Sequence, residues 1–328
     1  LPLLAYTETS HRGGRINKKI KIFVFSACMI LIALALPVLG EKDDRTGMSP
    51  AVQKIKDPTD KSAKSGFGIG LRIHGGLDFF DGGDINDTRS NLTLNEYLAG
   101  QAGIPYTLEE NELHRSLEGG GDLLLYLGKR LGIALGAAYL SASSDNRLVI
   151  SLPSLLPATY TITFNPAVSA MPVTAGLFFI LPLGGRLDLL AEAGGGWTLA
   201  RLAIDQAFSG DFGSMQFNAR GEAGGPCAYA RLGLEFRISR GIFFFIEALG
   251  RYARVSGFQG SAEILQNDVI ISSGDGRFYT YDQDFSGHTI PFIDFADEPP
   301  SGPSVSHVGE TQIDFSGACA RGGLRIRF

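Results

Sequence analysis

Cysteine is almost missing from this chain, with three residues in 328, at positions 28, 227 and 319. Cys28 lies in an apolar leader run and is expected to leave with it. Cys227 and Cys319 fall on like-facing positions of two expected strands with a third between them. Two strand spacings of about 4.8 Å exceed the usual disulfide Cα separation, so a disulfide framework is excluded and two free thiols are expected. Histidine is nearly as scarce: His11, His74, His114, His288 and His307. None sits in an H-E-x-x-H or other paired spacing, so a zinc site has no support. A G-x-S-x-G nucleophile elbow is also lacking. Glycine clusters do occur, at Gly119-Gly120-Gly121, Gly194-Gly195-Gly196 and Gly224-Gly225, but none precedes Lys-Ser or Lys-Thr. They read as small residues in a strongly curved sheet, not as phosphate loops. No catalytic residue, cofactor or metal is therefore expected, and the chain reads as a non-enzyme. Positive charge is short as well: 29 Lys and Arg against 34 Asp and Glu, net −5, which excludes nucleic acid as a partner.

Only one long apolar run is present, residues 22–39, and it follows the basic Arg12, Arg15, Lys18, Lys19 and Lys21. Short residues at Val38-Leu39-Gly40 precede the charged Glu41, so residues 1–40 are read as a signal peptide cleaved after Gly40. The competing reading is a membrane-spanning helix. No cysteine follows the run at the cleavage point, so a lipoprotein anchor is not expected. Removing the segment leaves 24 basic against 33 acidic residues, net −9. Residues 41–65 are polar, contain Pro50 and Pro58, and read as a flexible tail.

From Gly66 the pattern changes to period-2 alternation, the mark of strands with one apolar face. Phe67, Ile69, Leu71, Ile73, Leu77 and Phe79 share one parity, and Arg72, His74 and Asp78 the other. Similar runs are expected near 123–127, 131–138, 148–152, 160–164, 171–181, 187–199, 228–238 and 242–252. The connections alternate in length. Lys129-Arg130, Leu183-Gly184-Gly185 and Ser239-Arg240-Gly241 are tight turns. Residues 81–112, with a helical turn around 94–98, residues 205–218 and residues 258–310 are expected loops. The last of these reads as containing a hairpin around Gly274-Asp275-Gly276, with strands at 269–271 and 278–281.

The final stretch, TQIDFSGACARGGLRIRF, places Ala318, Ala320, Leu324, Ile326 and Phe328 on one face and Cys319, Arg321, Arg325 and Arg327 on the other. This amphipathic strand ending in Phe, together with the sorted loop lengths, resembles the bacterial outer-membrane β-barrels, and residues 66–328 resemble the small OmpA- and OmpX-like members. The resemblance implies an all-β, antiparallel, up-and-down transmembrane barrel of about eight strands, with short periplasmic turns and long extracellular loops. It implies an outer-membrane location, contact with outer-membrane lipid and lipopolysaccharide, and delivery by the barrel assembly machinery, with Phe328 as assembly signal. In an eight-stranded barrel side chains fill the interior. The inward parity supplies Arg72, Asp78, Asp122, Asp188, Glu192, Arg231, Glu235, Arg237, Glu247, Arg251, Arg321 and Arg325, read as a lumen charge network that plugs the barrel. A three-residue turn at 239–241 would set Ile238 opposite Ile242 and Gly233 opposite Glu247, bringing Arg231 within reach of Glu247.

Residues 275–297 combine six Phe and Tyr residues with Asp275, Asp282, Asp284, Asp294 and Asp297. They read equally as a surface for an extracellular ligand or as a self-packed cap of the barrel mouth. The expected role resides in the external loops, as adhesion, envelope stabilisation or partner binding. A narrow transport channel for small or hydrophobic solutes is the rival reading, and a lipid-modifying enzyme the third.

Overall fold

The computed structural model describes residues 67–88, 90–152, 158–211, 213–285 and 287–328. The expected signal peptide with Cys28 and the tail at 41–65 lie outside the described residues. Among the described residues no helix is long and apolar enough to cross a membrane.

In chain order the elements are β1 (Gly68–Phe80), α1 (Asp84–Asp87), α2 (Ser90–Gln101), β2 (Tyr106–Glu109), β3 (Arg115–Tyr126), β4 (Leu131–Ser143), β5 (Asn146–Leu152), β6 (Ala158–Gly184), β7 (Leu187–Gly210), β8 (Gly213–Ser239), β9 (Ile242–Ser256), β10 (Gln259–Gln266), β11 (Val269–Phe285), β12 (His288–Ala296), β13 (Val305–Glu310), β14 (Gln312–Asp314) and β15 (Gly317–Arg327). Eight of the strands close a ring: β1 pairs β3, then β4, β6, β7, β8, β9 and β15 follow, and β15 pairs β1, all antiparallel. The fold is a closed, eight-stranded antiparallel barrel.

The short connections at 127–130, Gly185-Arg186 and Arg240-Gly241 lie at one end. Gly241 has φ 86°, and a Cβ there would come within 2.7 Å of the Arg327 carbonyl, so this turn requires glycine. The turn is tighter than the sequence suggested. Ser239, not Ile238, faces Ile242; a one-residue irregularity at Ile238 then restores the register, and Gly233 does face Glu247.

At the other end the sheet runs well beyond the ring. β7 and β8 remain paired to Gly210 and Gly213, so the expected loop at 205–218 is a long hairpin. β10 continues beside β8, and β11 pairs β10, so this hairpin extends the barrel wall. Its turn is at Asn267-Asp268, both with positive φ, and not at Gly274-Asp275-Gly276, which lies within β11.

One strand shows how polarity is laid out. Along β6 the odd residues face outward throughout. Met171, Val173 and Leu177 are exposed and apolar, but Thr159, Thr161 and Asn165, further out on the same parity, are polar. The inward parity changes the opposite way, from Gly176 and Thr174 to the buried Val168, Phe164 and Ile162. The inner half of the molecule therefore has an apolar outside and an inside that is polar at the level of Gly176 and Thr174, with a small apolar cluster of Leu124, Phe178, Ile180 and Leu190 toward the short turns. The outer half has a conventional apolar core of Phe80, Phe164, Phe258, Phe278, Phe315 and neighbours.

Candidate functional site

The inner half of the lumen holds five arginines and six carboxylates, drawn from β1, β3, β7, β8, β9 and β15. Three ion pairs join residues directly opposite on neighbouring strands: Arg72–Asp122 at 2.7 Å, Arg321–Glu247 at 2.5 Å, and Arg231–Glu192. Further contacts cross the lumen and tie these pairs together. Arg72 reaches Glu192 at 2.9 Å and Glu247 at 3.5 Å, and Arg231 reaches Asp122 at 3.2 Å and Glu247 at 3.7 Å. Arg251 binds Asp78 and lies 2.9 Å from Glu118, which Arg321 also contacts at 2.8 Å. The Tyr229 hydroxyl donates to Glu192 at 2.7 Å, and an Arg321 N–H lies 3.2 Å from His74 Nε2. Toward the short-turn end Arg325 pairs with Glu235 at 2.6 Å, donates to the Tyr126 hydroxyl at 2.5 Å and stacks 4.1 Å from the Phe243 ring centroid. All of these charged groups are buried.

β4 and β6 contribute no charge to this cluster, and that makes it possible. Their inward residues include Gly132, Gly136 and Gly176. A Cβ at Gly136 would lie 2.1 Å from an Asp122 carboxylate oxygen, and one at Gly176 would lie 2.3 Å from the Tyr229 hydroxyl. The charged side chains fill the space these glycines leave. The void beside them, lined by Glu118, Tyr229, Arg231, Arg251, Arg321 and neighbours, is about 30 Å³, room for about two waters.

Ten of the twelve residues expected in the lumen network meet there. Asp188 and Arg237 do not: they face each other at 3.9 Å at the short-turn rim, where half of the Arg237 side chain is exposed. Glu118 and Tyr229 belong to the cluster and were not singled out. Glu118 shares parity with Asp122 through Gly120, the signal that a strand starting at Asp122 obscures. Cys227 and Cys319 are buried and unpaired. Phe328 is exposed at the end of β15, with its N–H bonded to the Ile69 carbonyl at 2.9 Å.

The acidic and aromatic stretch at 275–297 is divided between inside and outside. Phe278, Tyr279, Ile290, Phe292 and Ile293 are buried. Phe278 of β11 and Ile293 of β12 join the apolar core of the outer half, so these paired strands cap that core. Thr311 N–H binds the Phe278 carbonyl and Phe278 N–H binds the Phe258 carbonyl, each at 3.0 Å. Asp84 of α1 accepts from the Gln312 N–H at 2.7 Å and from Thr280 at 3.2 Å, fixing the cap to the wall. On the outside, His307 lies 2.9 Å from Asp282. Tyr281, half-buried, stacks on the buried Phe292. Burial and the nearby Asp294 carboxylate raise the Tyr281 hydroxyl above its ordinary pKa.

The fold and site define a closed eight-stranded barrel with a charged, filled interior and a capped outer core. Among solved structures the chain is similar to the outer membrane protein OprG from Pseudomonas aeruginosa, at 14% identity, 80% of this chain, 96% of that chain and a TM-score of 0.31. It is also similar to the outer membrane protease OmpT from Escherichia coli, at 8% identity, 81% of this chain, 99% of that chain and a TM-score of 0.24. No protein-family model and no curated protein matches the chain.

Proposed function

We propose that this chain is an integral outer-membrane barrel of the small, OmpA- and OmpX-like kind, plugged by its own side chains and acting through what its outer half presents. The observation that carries the reading is the inverted polarity of the inner half. Around the ring, Ile73, Leu135, Leu177, Ile246 and Leu324 are exposed while Arg72, Asp122, Glu192, Arg231 and Arg325 are buried. In water so large an apolar band would be an aggregation surface, whereas in a bilayer it is the required exterior. A closed barrel also leaves no unpaired sheet edge in the hydrocarbon, where backbone groups have no water to bond. Trp197 and Tyr252, both exposed, lie near the outer margin of the band, as interfacial aromatics do. In this reading Phe328 serves the assembly machinery, the surrounding lipid is the constant partner, and no catalytic step is assigned.

The filled lumen and capped outer core favour adhesion, envelope stabilisation or partner binding over transport. Reconstitution in planar bilayers tests this. The wild-type barrel is expected to insert and to pass no steady current. A reproducible single-channel current would replace this reading with the transport one.

A further inference from the structure

The outer face of the wall carries a feature that neither the plug nor the cap uses. Just beyond the apolar band, six strands align one outward residue each in a continuous cross-strand row: Ser141, Ser169, Arg201, Glu222, Gln259 and Arg277. The next row outward includes the small residues Ala167, Ala203 and Ser261. Where β10 and β11 extend the sheet, these two rows form the floor of an open trough of about 1300 Å³. The next row toward the band holds Met171 and Leu199, paired with each other and exposed.

The chemistry of the trough is polar and locally balanced. Arg201 pairs with Glu222 at 2.8 Å, Arg220 with Asp205 at 2.6 Å, and Arg277 with Glu310 at 2.8 Å. A bare anion would meet a carboxylate beside every guanidinium. A neutral polyhydroxyl ligand would meet oriented donors and acceptors, because each ion pair fixes a planar fork and still has N–H groups and lone pairs to spare. The volume exceeds the 300–1,000 Å³ common for small-molecule sites and suits several sugar rings. The small side chains of the floor allow rings to approach, and Tyr139 lies at the margin.

We propose that this trough seats the saccharide headgroup of an outer-leaflet glycolipid whose acyl chains lie along the apolar band beneath it. The inference rests on the outer-membrane reading, because only that reading sets a lipid headgroup at this level.

The test uses the full-length barrel in detergent, with native mass spectrometry counting retained lipopolysaccharide and, separately, retained phosphatidylglycerol. Two variants address the site. Ala203→Trp fills the floor. Arg201→Ala with Glu222→Ala removes the central pair at constant net charge. Arg147→Glu, on β5 and away from the trough, changes charge alone. Both trough variants are expected to lose lipopolysaccharide retention about tenfold, with phosphatidylglycerol unaffected and Arg147→Glu behaving as wild type. Unchanged lipopolysaccharide retention in both trough variants would overturn the proposal. So would a parallel loss of phosphatidylglycerol, or an equal loss in Arg147→Glu. Failure of the membrane reading has a separate signature: the wild-type barrel would not fold into lipid vesicles, as judged by its unheated gel mobility.

Discussion

At the residue scale, the centre of the lumen cluster shares its charges among several partners, whereas toward its ends Asp78 rests on Arg251 and Glu235 on Arg325. Glu192 illustrates the sharing, contacting Arg72, Arg231 and the Tyr229 hydroxyl. Removing one member of a buried ion pair typically costs about 3–5 kcal/mol, because the partner is left uncompensated. Arg231 would retain Asp122 and Glu247 after Glu192→Ala, so the expected loss lies toward the lower end, about 3 kcal/mol. Adding Arg231→Ala should cost less than the sum of the single losses, since the two side chains share one network. Denaturant unfolding of the four proteins in lipid vesicles measures the coupling, and strictly additive losses would show that the pair does not interact. The register alone brings Arg231 near Glu247. It does not reveal that Arg231's nearer carboxylates are Glu192, directly opposite on β7, and Asp122, across the lumen. Contacts through the interior depend on barrel closure and on the space left by Gly136 and Gly176, neither of which is written in any single strand.

At the element scale, Asp84 is the joint between cap and wall. Its carboxylate accepts from Gln312 at the start of β14 and from Thr280 in β11. Asp84→Ala would leave a half-buried backbone N–H without its acceptor, a change that costs about 1–3 kcal/mol. The loss should be local: faster hydrogen exchange in β11, β12 and β14, with unchanged protection in β1, β7 and β9. Uniformly faster exchange across the barrel would mean that cap and wall open together. The elements also show what could be read from the chain beforehand. The strands of the apolar band were legible because one parity is almost wholly apolar, as in Ile242, Phe244 and Ile246 of β9. The outer parts of β7 and β8 were not. There Asp205, Asn218 and Arg220 face out while Leu202, Ile204 and Ala219 face in, and the mixture resembles a loop when an outward apolar face is sought. The β10–β11 turn was misplaced for a related reason. Gly274-Asp275-Gly276 has the better turn composition, but Asn267-Asp268 lies where pairing of β10 with β8 requires the chain to reverse, and both residues tolerate positive φ.

At the scale of the whole molecule, the proposed function turns on where water gives way to lipid, and in that reading β6 crosses the boundary in one unbroken strand. It is 27 residues long, while about 9–11 residues suffice to cross the hydrocarbon. Its outward residues sample three levels: Leu177 within the band, Met171 at its margin, and Thr159 well beyond. All three side chains are exposed, so in a water-soluble barrel an arginine at any of them should change stability by no more than about 0.5 kcal/mol. In a bilayer the cost depends on depth, about 2–4 kcal/mol at the midplane and about 0–1 kcal/mol near the interface. The expected order of destabilisation is therefore Leu177→Arg, then Met171→Arg, then Thr159→Arg with almost no effect, measured as unfolding free energy in lipid vesicles. Detergent micelles, which deform around a charge, should compress the differences. A flat profile in vesicles would remove the basis for placing the boundary between Met171 and Ser169. It would also detach the trough from the lipid headgroups, because the row of Ser169 and Arg201 lies at headgroup level only if Met171 and Leu199 are the last residues to touch hydrocarbon.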